Sequence, residues 1–182
     1  MKSWALKQLI WISSVCSRVA GEIHYIYRRL VGTVATPEEY KKLLQQVQHM
    51  PPQEFNGFIR SYFQYEADGI DFSKHPLVFL KDRAGDCDDY AHLCARLLED
   101  MGYQTYIISV FSDLKRGHAV CVGVTPKGKV FGFGNWPLME FNSPYWVDCG
   151  RDICRIGYNS KPQFIIKFDN RWRLLKIHIE EG

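Results

Sequence analysis

Residues 86–111 read DCDDYAHLCARLLEDMGYQTYIISVF, and the period of the pattern changes in the middle of the stretch. Apolar residues fall at 90, 91, 94, 97, 98 and 101, the inward stripe of an amphipathic helix. Gly102 ends that pattern, and Gln104–Phe111 follows with the β-branched and aromatic residues of a strand. Asp86, Asp88 and Asp89 suit a helix start, where unsatisfied N–H groups and the positive dipole end favour carboxylates. The stretch therefore predicts a helix over about Asp86 to Met101 feeding directly into a strand.

The chain on either side extends this pattern. Upstream, Thr36-Pro37-Glu38-Glu39 carries an N-cap, a first-turn proline and a capping-box glutamate, predicting a helix to about Gln48. Pro51-Pro52 breaks it, and Phe55, Phe58, Ile59, Tyr62 and Phe63 mark another helix. Glu66 to Pro76 reads as loop. Downstream, His118–Val124 and Lys129–Phe133 predict a hairpin about Pro126-Lys127-Gly128. Gln163–Phe168 and Trp172–Ile179 predict a second hairpin about Asp169-Asn170. Consecutive strands with tight turns imply an antiparallel sheet, and helices grouped before strands imply an α+β fold with the helices on one face. The segment after Trp136, with Pro137 and Pro144-Tyr145-Trp146, either extends the sheet or forms a substrate wall. Cys149 and Cys154 read as loop residues, disulfide-linked or simply thiols.

Residues 1–35 form a separate N-terminal element in this reading, an amphipathic helix packed on the domain formed by residues 36–182. Its apolar residues at 6, 9, 10, 12, 16, 19, 20, 23 and 26 fit a helical stripe. Lys7 interrupts the apolar part early, and the charge-free run from Gln8 to Ser17 is too short to span a bilayer. Val15 before Cys16 makes a poor lipoprotein site. With no convincing signal peptide the expected compartment is cytoplasmic, with export as the alternative. Trp4 and Trp11 with Lys2 and Lys7 would also suit a membrane surface, the less favoured use of this helix.

Bulk properties narrow the function classes. With 182 residues, 46% of them hydrophobic, the chain can bury a core without disulfides or metal. A net charge of +3 gives no footprint for nucleic acid. Six cysteines with no CxxC pair argue against a disulfide scaffold and give zinc little support. The expectation is no metal and no cofactor, with a peptide or protein substrate.

One cysteine stands apart. Cys87 lies three and four residues before Tyr90 and Ala91, so it shares their inward stripe while sitting in the first turn. A helix start favours a thiolate, the three neighbouring carboxylates oppose it, and a cationic partner such as a histidinium would restore it. His118 opens a strand after the charged Lys115-Arg116 loop, with alternation placing His118, Val120 and Val122 on one face. The returning strand ends in Gly134-Asn135-Trp136, bringing Asn135 beside His118, where its amide oxygen could accept the imidazole N–H. Trp136 or Tyr90 could line a cleft or belong to the core. Cys94 and Cys121 read as core residues, and the remaining histidines as surface or packing residues.

Gly85-Asp86-Cys87-Asp88-Asp89-Tyr90-Ala91, then Leu97-Leu98 and Gly102-Tyr103, then Gly117-His118-Ala119-Val120, resembles the transglutaminase-like superfamily. The resemblance is closest to its bacterial transglutaminase-like cysteine peptidases, extends over about residues 55 to 137, and includes Tyr65-x-x-Asp68 and Pro76-x-x-x-Leu80 as lead-in. It implies a papain-like α+β core with Cys87 as nucleophile, His118 as general base and acid, and Asn135 as orienting residue, although Asp is common at that last position. It also implies that Asp89 shapes the site. The Cys87 N–H would supply one oxyanion donor, with Gln64 and Tyr65 as candidates for a second. The implied activity is that of a cysteine peptidase or amidase working through a thioester. A cross-linking acyltransferase and a non-catalytic binding module on the same fold are the alternatives.

Overall fold

The computed structural model describes residues 2–67, 72–113 and 117–180, so Asp68 of the lead-in and the Lys115-Arg116 loop lie outside the described residues. Chain order runs α1 (Lys2–Leu30), α2 (Pro37–Val47), α3 (Pro52–Tyr62), β1 (Gln64–Tyr65), α4 (Pro76–Asp82), β2 (Ala84–Gly85) and α5 (Cys87–Asp100). Then follow β3 (Gln104–Phe111), β4 (Gly117–Val124), β5 (Val130–Phe133), β6 (Met139–Phe141), α6 (Trp146–Tyr158), β7 (Phe164–Phe168) and β8 (Leu174–Ile179).

Local chemistry accounts for the boundaries. Thr36 and Glu39 close the expected capping box on α2, with hydrogen bonds of 3.1 and 2.7 Å. Pro52 opens α3, and Phe55 and Ile59 are fully buried beneath it. α4 is an element the periodicity did not predict. It is a two-turn helix started by Pro76 and capped by His75, whose Nδ1 accepts the Leu77 N–H at 3.2 Å. Seven residues are too few for a stripe to stand out from a loop.

Six strands form one antiparallel sheet in the order β6-β5-β4-β3-β7-β8. β3 is central, pairing along its whole length with β4 and with β7 on its other side. The segment after Trp136 extends this sheet at both edges, through β6 next to β5 and through the β7–β8 hairpin. The structure departs from the expected hairpin at Trp172, which folds into the turn at φ 59° and stacks on Phe168, so β8 begins only at Leu174.

Helices cover both faces of the sheet, not one. Ala119, Cys121, Phe164 and Ile166 pack with α5 in one core. Val120, Val122 and Ile165, the alternate residues, pack with α6 in a second. α6 was read as loop because Gly150 and flanking charges dilute its signal. Its Trp146, Val147, Cys149, Gly150, Ile153 and Cys154 nevertheless form a continuous buried stripe. Cys149 and Cys154 are therefore buried helix thiols, and no disulfide joins them.

α1 is a helix as expected, but its orientation reverses the expectation. Leu9, Ile12, Val19, Ile23 and Ile26 are exposed, while Ile10 is buried and Leu6, Ser14 and Ser17 turn inward. Two contacts near its end fix this rotation. Tyr25 stacks on His75 at 3.8 Å, and Arg28 makes a bidentate pair with Asp82 at 2.6 and 3.1 Å. Both residues lie on the inward side, so the main apolar stripe faces out.

Candidate active site

Cys87 is placed by a short parallel ladder and a capped helix. Gln64 pairs with Ala84 and Tyr65 with Gly85, through Gln64 N–H to the Arg83 carbonyl and Glu66 N–H to the Gly85 carbonyl, both 2.8 Å. α5 then starts at Cys87, with Asp86 as its N-cap accepting the Asp88 N–H at 3.2 Å. The side chain of Asp89, fully buried, accepts the Asp86 N–H at 3.2 Å and the Lys74 N–H at 2.7 Å. The Lys74 ammonium stands 3.4 Å away. Asp89 thus ties the helix start to the 72–75 segment. Gly85 has a matching requirement, because a Cβ there would run into the Asp89 carboxylate. Asp86, Asp88 and Asp89 converge within 4.8 Å, and capping accounts for the bonds that Asp86 and Asp89 make.

His118 is buried at the start of β4, opposite Val110 of β3. Its ring stacks on Trp136 at 3.6 Å and 15°. Trp136 in turn lies against α6, where a Cβ on Gly157 would strike the indole, and meets Tyr158 edge-on at 5.6 Å. Burial pushes the His118 imidazole down to about 3, because a cation there would be stripped of water. The ring is therefore neutral at physiological pH. Its Nε2 is buried without a hydrogen bond among the described residues, and so is Oδ1 of Asn135. One is a ring nitrogen able to donate and the other an amide acceptor, on residues adjoining the same indole.

The backbone around Asn135 is held by α3. Asn56, itself buried, accepts the Gly134 N–H at 3.0 Å and donates to the Trp136 carbonyl at 2.9 Å. Arg60 donates to the Asn135 carbonyl at 3.1 Å. The sequence reading passed over Asn56. The available signal was a polar residue on the 56, 59, 63 line of an otherwise apolar inward face.

Cys87 and His118 line one cavity of about 560 Å³ together with Tyr65 and Ser109. Phe164, Ile166, Phe168 and Trp172 contribute apolar lining. Leu6, Ile10, Ser13, Ser14 and Ser17 of α1 add a further wall that sequence reasoning did not assign to the site. Of the candidate residues, Gln64, Asp89, Asn135 and Trp136 do not line this cavity. Gln64 sits in the ladder one residue before Tyr65, while Asn135 and Trp136 belong to the loop against which the His118 ring is stacked. Tyr65 is half exposed, and its phenol is raised by partial burial and then by the charges of Cys87, Asp86 and Asp88. Tyr90 belongs to the core, its hydroxyl donating to the Phe63 carbonyl at 2.7 Å.

The other buried thiols differ from Cys87 in kind. Burial raises Cys94 and Cys121 well above the usual thiol range. Cys149 and Cys154 are each pushed up to about 11, chiefly by burial. His75 and His92 are lowered to about 4 by burial and serve packing and capping. No helix among the described residues is long and apolar enough to cross a membrane.

A family model described as a transglutaminase-like domain matches residues 12–155. No curated protein matches the chain. Among solved structures, the chain is similar to a Cytophaga hutchinsonii protein described as a "Putative Cysteine Protease", at 15% identity and a TM-score of 0.46. That similarity covers 81% of this chain and 52% of the other, so the chain spans about half that protein's length.

Proposed function

Because the chain belongs to the transglutaminase-like family, we propose that it is a thiol-dependent amide hydrolase, a cysteine peptidase or amidase with Cys87 as nucleophile. The observation that carries this reading is the shared cavity, which takes in a helix-start cysteine and a neutral, buried histidine. In the proposed reaction His118 removes the Cys87 proton as the sulfur attacks an amide carbonyl carbon. Collapse of the tetrahedral adduct breaks the C–N bond, and His118 returns the proton to the leaving amine, leaving a thioester on Cys87. His118 then deprotonates a water, which attacks the thioester and releases a carboxylic acid and the thiol. The first-turn N–H of Cys87, at the positive end of α5, would stabilise the oxyanion, and Tyr65, which lines the cavity where Gln64 does not, is the candidate for a second donor. Asn135 would accept from Nε2 of His118, satisfying both orphaned atoms and leaving Nδ1 for the thiol. Asp89 acts on the site indirectly, by holding the turn that presents Cys87.

The test is incubation with a peptide and amine library read by mass spectrometry, with Cys87→Ala as control. Cleavage or deamidation that disappears in the variant supports hydrolysis, whereas amine adducts would assign the acyl group to a different acceptor. If the wild-type protein forms no product and its Cys87 alkylates no faster than a simple thiol at pH 6, the catalytic reading fails.

A further inference from the structure

Ten of the fifteen exposed large hydrophobic residues among the described residues lie on α1, so exposure is concentrated on one helix. Ile12, Cys16, Val19, Ile23, Ile26 and Leu30 follow one another at steps of three and four, with Leu30 82% exposed, while Leu9 stands at the rim of the Cys87 cavity. From Ile12 to Leu30 this strip is about 27 Å long. A patch of this extent on a water-soluble surface marks a binding face.

Its border is basic. At about 100° per residue, Lys7, Arg18 and Arg29 fall within roughly 40° of one another, Trp11 shares the angle of Arg29, and Trp4 comes next beside the lone acidic residue Glu22 before the aliphatic strip begins. All three cations are exposed, and none is in an ion pair among the described residues. Trp4 is 70% exposed and Trp11 53%. The helix carries five basic residues against one acidic residue, Glu22.

We propose that the outer face of α1 seats the protein on an anionic lipid bilayer surface. The aliphatic strip would enter the acyl boundary, Trp4 and Trp11 would sit at headgroup depth, and Lys7, Arg18 and Arg29 would meet lipid phosphates. Two observations favour a bilayer over a second copy of the chain. The exposed apolar arc is about 160° wide, and a helix pair would leave Trp4, Trp11 and Val15 outside its seam, whereas a planar surface takes the whole arc. The seam also has Cys16, Ile23 and Leu30 alternating with Ile12, Val19 and Ile26, which lacks the β-branched-then-leucine order of a parallel two-stranded coil.

The test is co-sedimentation of the full chain with phosphatidylcholine vesicles, with and without phosphatidylglycerol. The expected result is partition to the anionic vesicles, reduced roughly a hundredfold by Lys7→Gln/Arg18→Gln/Arg29→Gln, at about a fivefold loss per cation. Ile12→Ser/Ile23→Ser/Ile26→Ser should abolish binding at an unchanged thermal melt, because those side chains are exposed in the free protein. Absence of binding to anionic vesicles, or binding undiminished by either variant, overturns the proposal. So does a wild-type dimer in sedimentation equilibrium that the serine variant converts to monomer.

Discussion

α5 and α6 pack on opposite faces of one sheet, and both bury cysteines against it. Cys94, Cys149 and Cys154 sit in helix interiors, where their N–H groups are already used, and the Cys149 thiol donates to the Ser143 carbonyl at 3.2 Å. Burial raises each of those thiols. Cys87 occupies the first position of α5, half-buried at a cavity, behind a turn organised by Asp86 and Asp89. The contrast shows that chemistry at a cysteine depends on where along the helix it falls, since the same residue type on the same sheet serves packing elsewhere.

The sharpest way to break this comparison is to exchange the two kinds of cysteine. Cys87→Ala should lower turnover by about 10⁶-fold in a product assay, with an unchanged circular dichroism spectrum. Asp89→Ala should come next. Removing the carboxylate takes the counter-charge from the Lys74 ammonium, which keeps the Ala84 carbonyl, and leaves two backbone N–H groups without their acceptor, at a cost of about 3–5 kcal/mol in urea denaturation.

Acid should follow. His75, His92 and His118 are held neutral by burial, with values of about 4, 4 and 3. Their folded values lie below the unfolded value, so the unfolded chain binds more protons once pH falls below about 6.5. Stability is therefore full above that pH and is lost as pH falls toward 4. A loss on the order of 3 kcal/mol by pH 5.5 is expected in urea titrations. Trp136→Leu should uncover the His118 ring and raise its value toward 6.5 in an NMR titration, moving the base's limb of the activity profile upward.

On the α6 face, Cys149→Ala should cost about 1–2 kcal/mol for the small cavity it leaves, with turnover unaffected. Smallest of all is Arg96→Ala on the exposed side of α5. Its pairs with Glu99 and Asp100 are solvent-screened, and the change should stay within about 0.5 kcal/mol in the same assay.

Much of this architecture was legible because it is local. The α2 capping box, the Pro52 start of α3, the end of α5 at Gly102 and the strands β3 and β4 all follow from signals within a turn or two of chain. Cys87, His118 and Asn135 could be singled out as candidates for the same reason, each standing at the end of a readable element. Elements without such signals escaped. α4 is too short to show a period, and Gly150 disguised α6 as a loop until Trp136 and Ile165 were seen packed against it. Asn56 was invisible as a clamp because both of its bonds reach a loop nearly eighty residues away.

The sequence by itself determined α2, α3, α5, β3 and β4, and which thiol stands at a helix start, because caps, prolines and periodicity act over a few residues. Only the tertiary structure decided which way α1 faces. Its apolar stripe alone would have been packed inward, but the Tyr25–His75 stack and the Arg28–Asp82 pair turn that stripe to solvent. The tertiary structure likewise decided that Cys87 and His118, thirty-one residues apart, share a cavity with α1 as one wall. Such facts depend on rotations and docking between distant segments, and no local pattern encodes them.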